Sequence, residues 1–483
     1  MNQKSSALIQ KVWNYAHVLK DDGLAFMDYT EQITYLLFLK MVWEQRGAGA
    51  SEIPSIYTWG ALKKINDNKK RLDRYHRGLH NLSKRHGLIG LIFTKPQSKI
   101  NDPAKLHLLI QMIDGEDWSK LDVDVKGAVY EGLLARNAED VRGGAGQYFT
   151  PRPVIRAIVE VMRPEPLMRI SDPACGTGGF LLAAFEYLKN RVSNFEELIH
   201  LRTRTLQGVD LVPNVARLCA MNLFLHGIGT DPEHPVISIG DSLEPKAEPV
   251  EPVDMVLTNP PFGKKSSFTI IGEGGKTQTD KISYERQDFW TTTSNKQLNF
   301  VQHVYSMLKE TGRAAVVVPD NVLFEGGAGE KIRRTLLERC EVHTMLRLPT
   351  GIWYSPGVKA NVLFFDKKPV VKAPATKEVW VYDLRSNRNF SLRQNPIRSD
   401  DLMDFIHCYC ADDPTQREET EHFRRFKYSE IIARDKANLD IQWRHETIDS
   451  TKDSSLQVLM KEILEDLKEA MNEFAAVESE IRR

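Results

Sequence analysis

The chain has 483 residues, and its Lys+Arg and Asp+Glu counts are both 65. That length supports two or three domains, while the even charge balance excludes capture of nucleic acid by bulk charge and leaves a local basic groove for such a partner. Hydrophobic residues at 41% and charged residues at 27% are ordinary for a globular protein. The Met1 end carries no apolar signal core. The most apolar window, Tyr35 to Trp43, is too short to span a bilayer and contains Lys40. Five cysteines in so long a chain do not make a disulfide framework. Cys408-x-Cys410 lacks a second cysteine pair, so no metal site is expected. These features predict a cytoplasmic protein without a membrane partner.

Residues 1–140 read as a helical N-terminal domain. Leu8, Val12, Tyr15, Ala16 and Leu19 share one face at helical spacing. Thr30 is placed to cap a helix burying Ile33, Leu36, Leu37 and Phe38. Asp102-Pro103 marks the start of another, with Leu106, Leu109, Ile110 and Ile113 on one side. No catalytic constellation falls here, and basic residues such as Lys69, Lys70, Arg71 and Arg74 read as a solvated face.

Composition shifts at Arg142-Gly143-Gly144-Ala145-Gly146, where a second domain, 141–390, begins. Gln147-Tyr148-Phe149-Thr150-Pro151-Arg152 follows, with Thr150 as predicted N-cap and Pro151 as first residue of a helix ending near Met162. A strand then runs into Asp172-Pro173-Ala174-Cys175-Gly176-Thr177-Gly178-Gly179 and an apolar helix. Glycines permit close backbone approach to a ligand. The Asp172 carboxylate argues against phosphate and for a cationic or amine-bearing ligand, and the loop lacks both the dinucleotide spacing and the P-loop lysine. The next strand ends in Asp210, suited to ribose hydroxyls. The third, Val236 to Ile239, ends in Gly240-Asp241-Ser242, where Asp241 can accept from an adenine amine. A strand-end carboxylate alone is a weak signal; three in consecutive β–α units are a strong one.

The fourth strand, Val253 to Leu257, leads into Thr258-Asn259-Pro260-Pro261-Phe262. Ligands of parallel sheets sit at such carboxyl ends. Two prolines remove two backbone donors, fix φ, and push each preceding residue to an extended conformation. The resulting stiff corner presents the Asn259 amide, the Pro260 carbonyl and the Phe262 ring. Two acceptors and an aromatic face suit an exocyclic amine on a planar base. Residues 263–295, rich in Gly, Ser, Thr and Lys without periodicity, read as a long loop beside the site, placed to serve as a lid. Helix–strand alternation then resumes through Ala314 to Val318, Val342 to Leu348 and Asn361 to Phe365, with Val379 to Tyr382 as a further edge. After a connecting region, 391–454, the tail 455–483 repeats Leu456, Met460, Ile463, Leu467, Ala470, Phe474, Val477 and Ile481 at alternating spacings of four and three, the seam of a coiled coil with a helical partner or of a long helix packed on its own domain.

Gln147 to Pro151, Asp172 to Gly179 and Asn259 to Phe262, in this order, resemble the motifs of the modification subunit of type I restriction-modification systems, a family of S-adenosylmethionine-dependent DNA adenine-N6 methyltransferases. Lys126-Gly127-x-x-Tyr130-Glu131, Gly312 to Val316 and Leu348-Pro349-x-Gly351 extend the resemblance over nearly the whole chain. It implies an α/β fold: a Rossmann-like, doubly wound methyltransferase sheet with an all-helical N-terminal domain and a helical C-terminal tail. It implies that Gln147, Tyr148, Phe149, Thr150, Pro151 and Arg152 hold the methionine part of S-adenosylmethionine together with Thr177, Gly178 and Gly179. Asp172, Ala174 and Gly176 would complete that loop. Asp210, where the family often has Glu, would take the ribose, and Asp241 and Ser242 would lie at the cofactor adenine. Asn259, Pro260, Pro261 and Phe262 would hold a flipped target adenine. The implied partners are double-stranded DNA, a specificity subunit shared by two such chains, and a nuclease-translocase subunit. The same Asn-Pro-Pro corner also serves protein glutamine-N5 and RNA guanine-N2 methylation, and a solitary DNA methyltransferase or a non-catalytic assembly subunit are further alternatives.

Overall fold

The computed structural model describes residues 11–12, 15, 18, 26–45, 52–96, 98–116, 118, 149–229, 231–245, 251–262, 267–271, 277–281, 284–353, 358–385, 388, 390–392 and 395–444, with backbone alone for 26–30, 267–271 and 277–281. Gln147, Tyr148, the Lys126–Glu131 motif and the 455–483 seam lie outside them.

The helical part comprises α1 (Phe26–Gln45), α2 (Trp59–Lys63), α3 (Asn68–Leu82), α4 (Gly87–Ile92) and α5 (Pro103–Asp114). Helix α5 starts where the sequence places it. Asp102 caps it by accepting from the Ala104 N–H at 2.7 Å, and Leu106, Leu109, Ile110 and Ile113 are buried. Helix α1 starts earlier than expected, at Phe26, so Thr30 lies inside it and is not its cap. The buried run from Ile33 to Val42 stabilises this helix far more than the roughly 1 kcal/mol that a cap contributes, so a capping residue need not set its start.

The rest is α6 (Arg152–Met162), β1 (Ile170–Asp172), α7 (Gly179–Lys189), α8 (Phe195–Thr203), β2 (Leu206–Asp210), α9 (Pro213–Leu225), β3 (Ile237–Ile239), β4 (Val253–Thr258), the hairpin β5 (Ser267–Ile271) and β6 (Thr277–Lys281), α10 (Lys296–Met307), β7 (Leu308–Pro319), α11 (Asp320–Phe324), α12 (Ala328–Arg339), β8 (Cys340–Leu348), β9 (Ala360–Lys367), β10 (Glu378–Asp383), α13 (Met403–Tyr409), β11 (Phe423–Lys427) and α14 (Tyr428–Ala433). The main sheet has the order β11-β10-β8-β9-β7-β4-β1-β2-β3. Strands β3, β2, β1, β4 and β7 are mutually parallel, in the registers Asp210↔Ile239, Ile170↔Leu206, Ile170↔Met255 and Thr258↔Val316. Their carboxyl ends therefore bring Asp172, Asp210, Gly240 and Asn259 to one edge. Strand β9 runs antiparallel to both β7 and β8.

Three expectations need correction. Strand β10 is not the sheet edge: it pairs with β8 on one side and with antiparallel β11 on the other. Strand β11, FRRFK, falls in the stretch set aside as a connecting region; its exposed arginines on an edge hide it from a hydrophobic-run search. The 263–295 stretch is not structureless, because β5 and β6 form an antiparallel hairpin there.

The helical part and the sheet share one hydrophobic core through α9. Arg217 of α9, itself buried, pairs with Glu31 and donates to the Thr94 carbonyl at 3.1 Å, and the Gln45 side chain donates to the Leu225 carbonyl at 3.1 Å. The chain divides into two units, Met1–Ile441 and Gln442–Arg483, and every element named above lies in the first.

At the site edge Arg385, two residues past β10, ties the start of α11 to the ends of β8 and β9. It donates to both Asp320 oxygens at 3.0 Å, to the Leu348 carbonyl and to the Ala360 carbonyl at 3.1 Å. Leu348 and Ala360 flank the loop 349–359, so one guanidinium clamps both of its ends. Burial pushes the Asp320 carboxyl up, but the Arg385 bonds and charge outweigh it and hold it below the usual range. Arg385→Ala strands a mostly buried carboxylate. It is expected to lower unfolding free energy by about 2–3 kcal/mol in urea titration, somewhat below the value for a fully buried pair because these side chains are 13% and 19% exposed.

Candidate active site

A cavity of ≈ 480 Å³ opens at the carboxyl edge of β1, β2, β3 and β4, within the roughly 300–1,000 Å³ range of small-molecule sites. It is lined by Phe149, Thr150, Asp172, Ala174, Gly176, Thr177, Gly179, Asp210, Asp241, Ser242, Asn259, Pro261 and Phe262, all singled out from the sequence. Pro151, Arg152, Gly178 and Pro260 are not among its lining residues. Arg152 begins α6 and faces a separate groove with Arg156 and Lys189. Residues the sequence reading did not assign also line the cavity, among them Leu243, Tyr284, Lys296 and Phe300.

The loop after β1 is built for close approach. Gly176 and Gly178 have φ of +54° and +85°, and a Cβ at Gly179 would sit 2.8 Å from Ile155 Cδ1. The Asn222 amide donates to the Thr177 carbonyl at 2.9 Å and fixes the turn from α9. Gly178→Ala forces a left-handed conformation and a Cβ 2.8 Å from Cys219 Sγ. It is expected to lower stability by about 2 kcal/mol, read as an earlier urea midpoint.

The carboxylates differ in their surroundings. Asp172, 1% exposed, accepts from the Ala174 N–H at 3.1 Å. Burial pushes its carboxyl up to about 7; the Thr258 hydroxyl and the Ala174 N–H pull it down, and the charge of Asp210 adds to the rise. Asp210 accepts from the Gly176 and Val212 N–H groups at 3.0 and 2.8 Å, and burial raises it despite them. Asp241 accepts from the Leu243 N–H at 2.9 Å and from the Tyr284 hydroxyl at 2.7 Å. The Ser242 hydroxyl donates to the Pro173 carbonyl at 2.6 Å, locking the loop after β3 onto the loop after β1.

At the corner after β4, Asn259 Nδ2 donates to Thr150 Oγ1 at 2.9 Å. Thr150 therefore does not cap α6: Pro151 is the N-cap, without a side-chain bond, and Arg152 is the first helical residue. A proline just ahead already lacks its own N–H and pre-sets φ, which frees the threonine for the amide. With its nitrogen directed at Thr150, the amide's acceptor end is fixed. Phe262 packs on Trp353, ring centroids 5.9 Å apart at 60°, and Trp353 is 2% exposed. Trp353 comes from the loop clamped by Arg385. Sequence reading missed it because only the Leu-Pro-x-Gly motif before it stood out. Gly351 in that motif has φ +78°, and a Cβ there would lie 1.9 Å from the Phe390 carbonyl.

The chain matches the N-6 DNA Methylase family over residues 121–453, and it is 35% identical, over 98% of its length and 95% of the relative's, to the type I restriction enzyme EcoKI methylase subunit of Escherichia coli K12. The chain belongs to the N-6 DNA methylase family. Among solved structures, the EcoKI M protein superposes with a TM-score of 0.55 at 32% identity, covering 96% of this chain and 94% of that one. A chain from a study of complex assembly and conformational transition of the type I R-M system gives 0.68 at 26% identity, with 98% of both covered. The activity is therefore adenine-N6 methylation of DNA, carried out as the methylase subunit of a type I restriction-modification system. The corner after β4 and the three carboxylates line the same cavity. Among the described residues, no helix is long and apolar enough to cross a membrane.

Proposed function

We propose that the cavity holds S-adenosylmethionine and that the corner Asn259-Pro260-Pro261-Phe262 receives the target adenine, turned out of the duplex. The observation that carries this reading is the Asn259 amide, oriented by Thr150, on the wall of a cavity that also carries Asp172, Asp210 and Asp241. The residues fit a cationic nucleoside. The glycine loop leaves room for a ligand against its backbone, and the three carboxylates oppose an anion. When bound, the cofactor supplies an electrophilic methyl on a sulfonium.

In this reading Asp172, with Phe149, Thr150 and the Gly176–Gly179 loop, faces the methionine part, Asp210 takes the ribose hydroxyls and Asp241 the base amine. Gln147, Tyr148 and Arg152 are assigned to the methionine end by sequence alone. The Asn259 oxygen and the Pro260 carbonyl each accept one N–H of the target amine, so that its lone pair faces the methyl. Charge that grows on the nitrogen is met by acceptors already in place. The methylated amine then loses its extra proton readily, so the corner needs alignment more than a base. Phe262, backed by Trp353, offers the face for stacking.

The assembly follows the family. Two copies of this chain share one specificity subunit, which reads the bases of double-stranded DNA, and a nuclease-translocase subunit joins them. The test is to map N6-methyladenine in DNA from cells expressing this chain with and without a co-encoded specificity subunit. A site-specific mark only with that subunit supports the reading; a mark made by this chain alone, or none with the subunit present, contradicts it.

A further inference from the structure

The segment between the hairpin and α10 returns across the cavity at the Asp241 end. Tyr284 lines the cavity, and its hydroxyl donates to Asp241 Oδ2 at 2.7 Å. Two residues on, Arg286 spans to both neighbouring elements: Nη1 donates to His303 Nδ1 of α10 at 3.1 Å and to the Ser242 carbonyl at 3.4 Å. Its Nε and Nη2 grip Asp288 at 3.0 and 2.6 Å. The guanidinium thus pins the strap to the residue next to Asp241 and holds the Tyr284 hydroxyl in place.

The Asp241 carboxylate is fixed from two sides. Its own loop supplies the Leu243 N–H to Oδ1, and the strap supplies the phenol to Oδ2. A carboxylate oxygen has a second lone pair, so Oδ2 can accept from a ligand N–H while it holds the phenol. Without the phenol, one oxygen and the rotation of the whole group would be left to solvent.

We propose that Tyr284 is a positioning residue for recognition of the cofactor's base: it holds Asp241 in the orientation that accepts the adenine exocyclic amine, and Arg286 holds Tyr284. This rests on the assignment of Asp241 to the cofactor adenine made above. It also gives the strap a reason to lie where it does. The same stretch of chain that leaves the target-base corner at Phe262 comes back to complete the cofactor's base site.

The test is calorimetric binding to the full chain of two probes: S-adenosylhomocysteine and its 6-deamino analogue, whose base carries hydrogen in place of the amine. The wild type is expected to prefer the adenosyl compound. Tyr284→Phe should reduce that preference roughly three- to tenfold, through weaker binding of the adenosyl compound alone, and Arg286→Ala should reduce it in the same direction with the phenol still present. A role confined to packing would weaken both probes equally and leave the preference unchanged, which overturns the inference. Asp241→Asn separates the two levels. If it leaves the preference at the wild-type value, the base does not lie at Asp241 and the underlying assignment falls. If it abolishes the preference while Tyr284→Phe does not move it, the assignment stands and the role of Tyr284 is refuted.

Discussion

Asn259→Ala is expected to reduce methyl transfer on the order of 10²–10³-fold, with cofactor affinity changed by no more than a few-fold. The two quantities separate because Asn259 belongs to the corner proposed to receive the target amine, whereas the proposed cofactor contacts of Asp172, Asp210, Asp241 and the glycine loop follow β1, β2 and β3. Removing the amide deletes one of two acceptors that charge on the amine requires, and it frees the amine to rotate away from the methyl. Single-turnover methylation of saturated complex measures the first quantity and calorimetry of the cofactor the second. Thr150→Val should give a smaller loss in the same direction, because it removes the acceptor that orients the Asn259 nitrogen at 2.9 Å but leaves the amide in place. Equal single-turnover rates in wild type and Asn259→Ala would remove the corner from the mechanism.

The second large effect is on pH dependence. Burial raises the folded-state Asp172 carboxyl to about 7 from its ordinary 3.8. An acid raised in this way binds more protons folded than unfolded. Its contribution to stability is therefore fully present below about pH 4 and is lost as pH rises through about 7. A cationic ligand reverses the preference, since it favours the ionised carboxylate. Cofactor affinity should accordingly rise about tenfold between pH 6 and pH 8, as the ionised fraction of a group titrating near 7 goes from about one-tenth to about nine-tenths. Asp172→Asn should bind more weakly and lack that component of the slope. Measuring Kd against pH for both proteins checks this; the same slope in the variant would mean that another group sets it.

Much of the frame was legible from local pattern. The β–α alternation from residue 170 to 258 gives the parallel strands their places, and strand-end carboxylates and glycines mark the edge where the cavity lies. What escaped depends on contacts distant in sequence. Thr150 has the position and chemistry of an N-cap, and nothing local reveals that an amide 109 residues away takes its hydroxyl. Strand β9 reads as one more strand; its antiparallel insertion between β7 and β8 is decided by pairing that periodicity does not encode. Tyr284 and Trp353 lie in irregular segments whose residues carry no spacing to interpret. Tyr284 is brought to Asp241, and Trp353 to Phe262, by the path of the chain. The 263–295 stretch was informative in composition and position, but its hairpin has mixed polar and apolar residues that alternate too briefly to stand out.

The cofactor's transferable group and the Asn259 amide are expected to face one another across a single cavity. An experimental structure of this chain with sinefungin, whose amine takes the place of the methyl, measures that directly. Its base is expected at Asp241 beside Tyr284, its ribose at Asp210, and its amine within contact of the Asn259-Pro260 corner. Sinefungin bound with its amine turned away from that corner, or in another part of the chain, would contradict it.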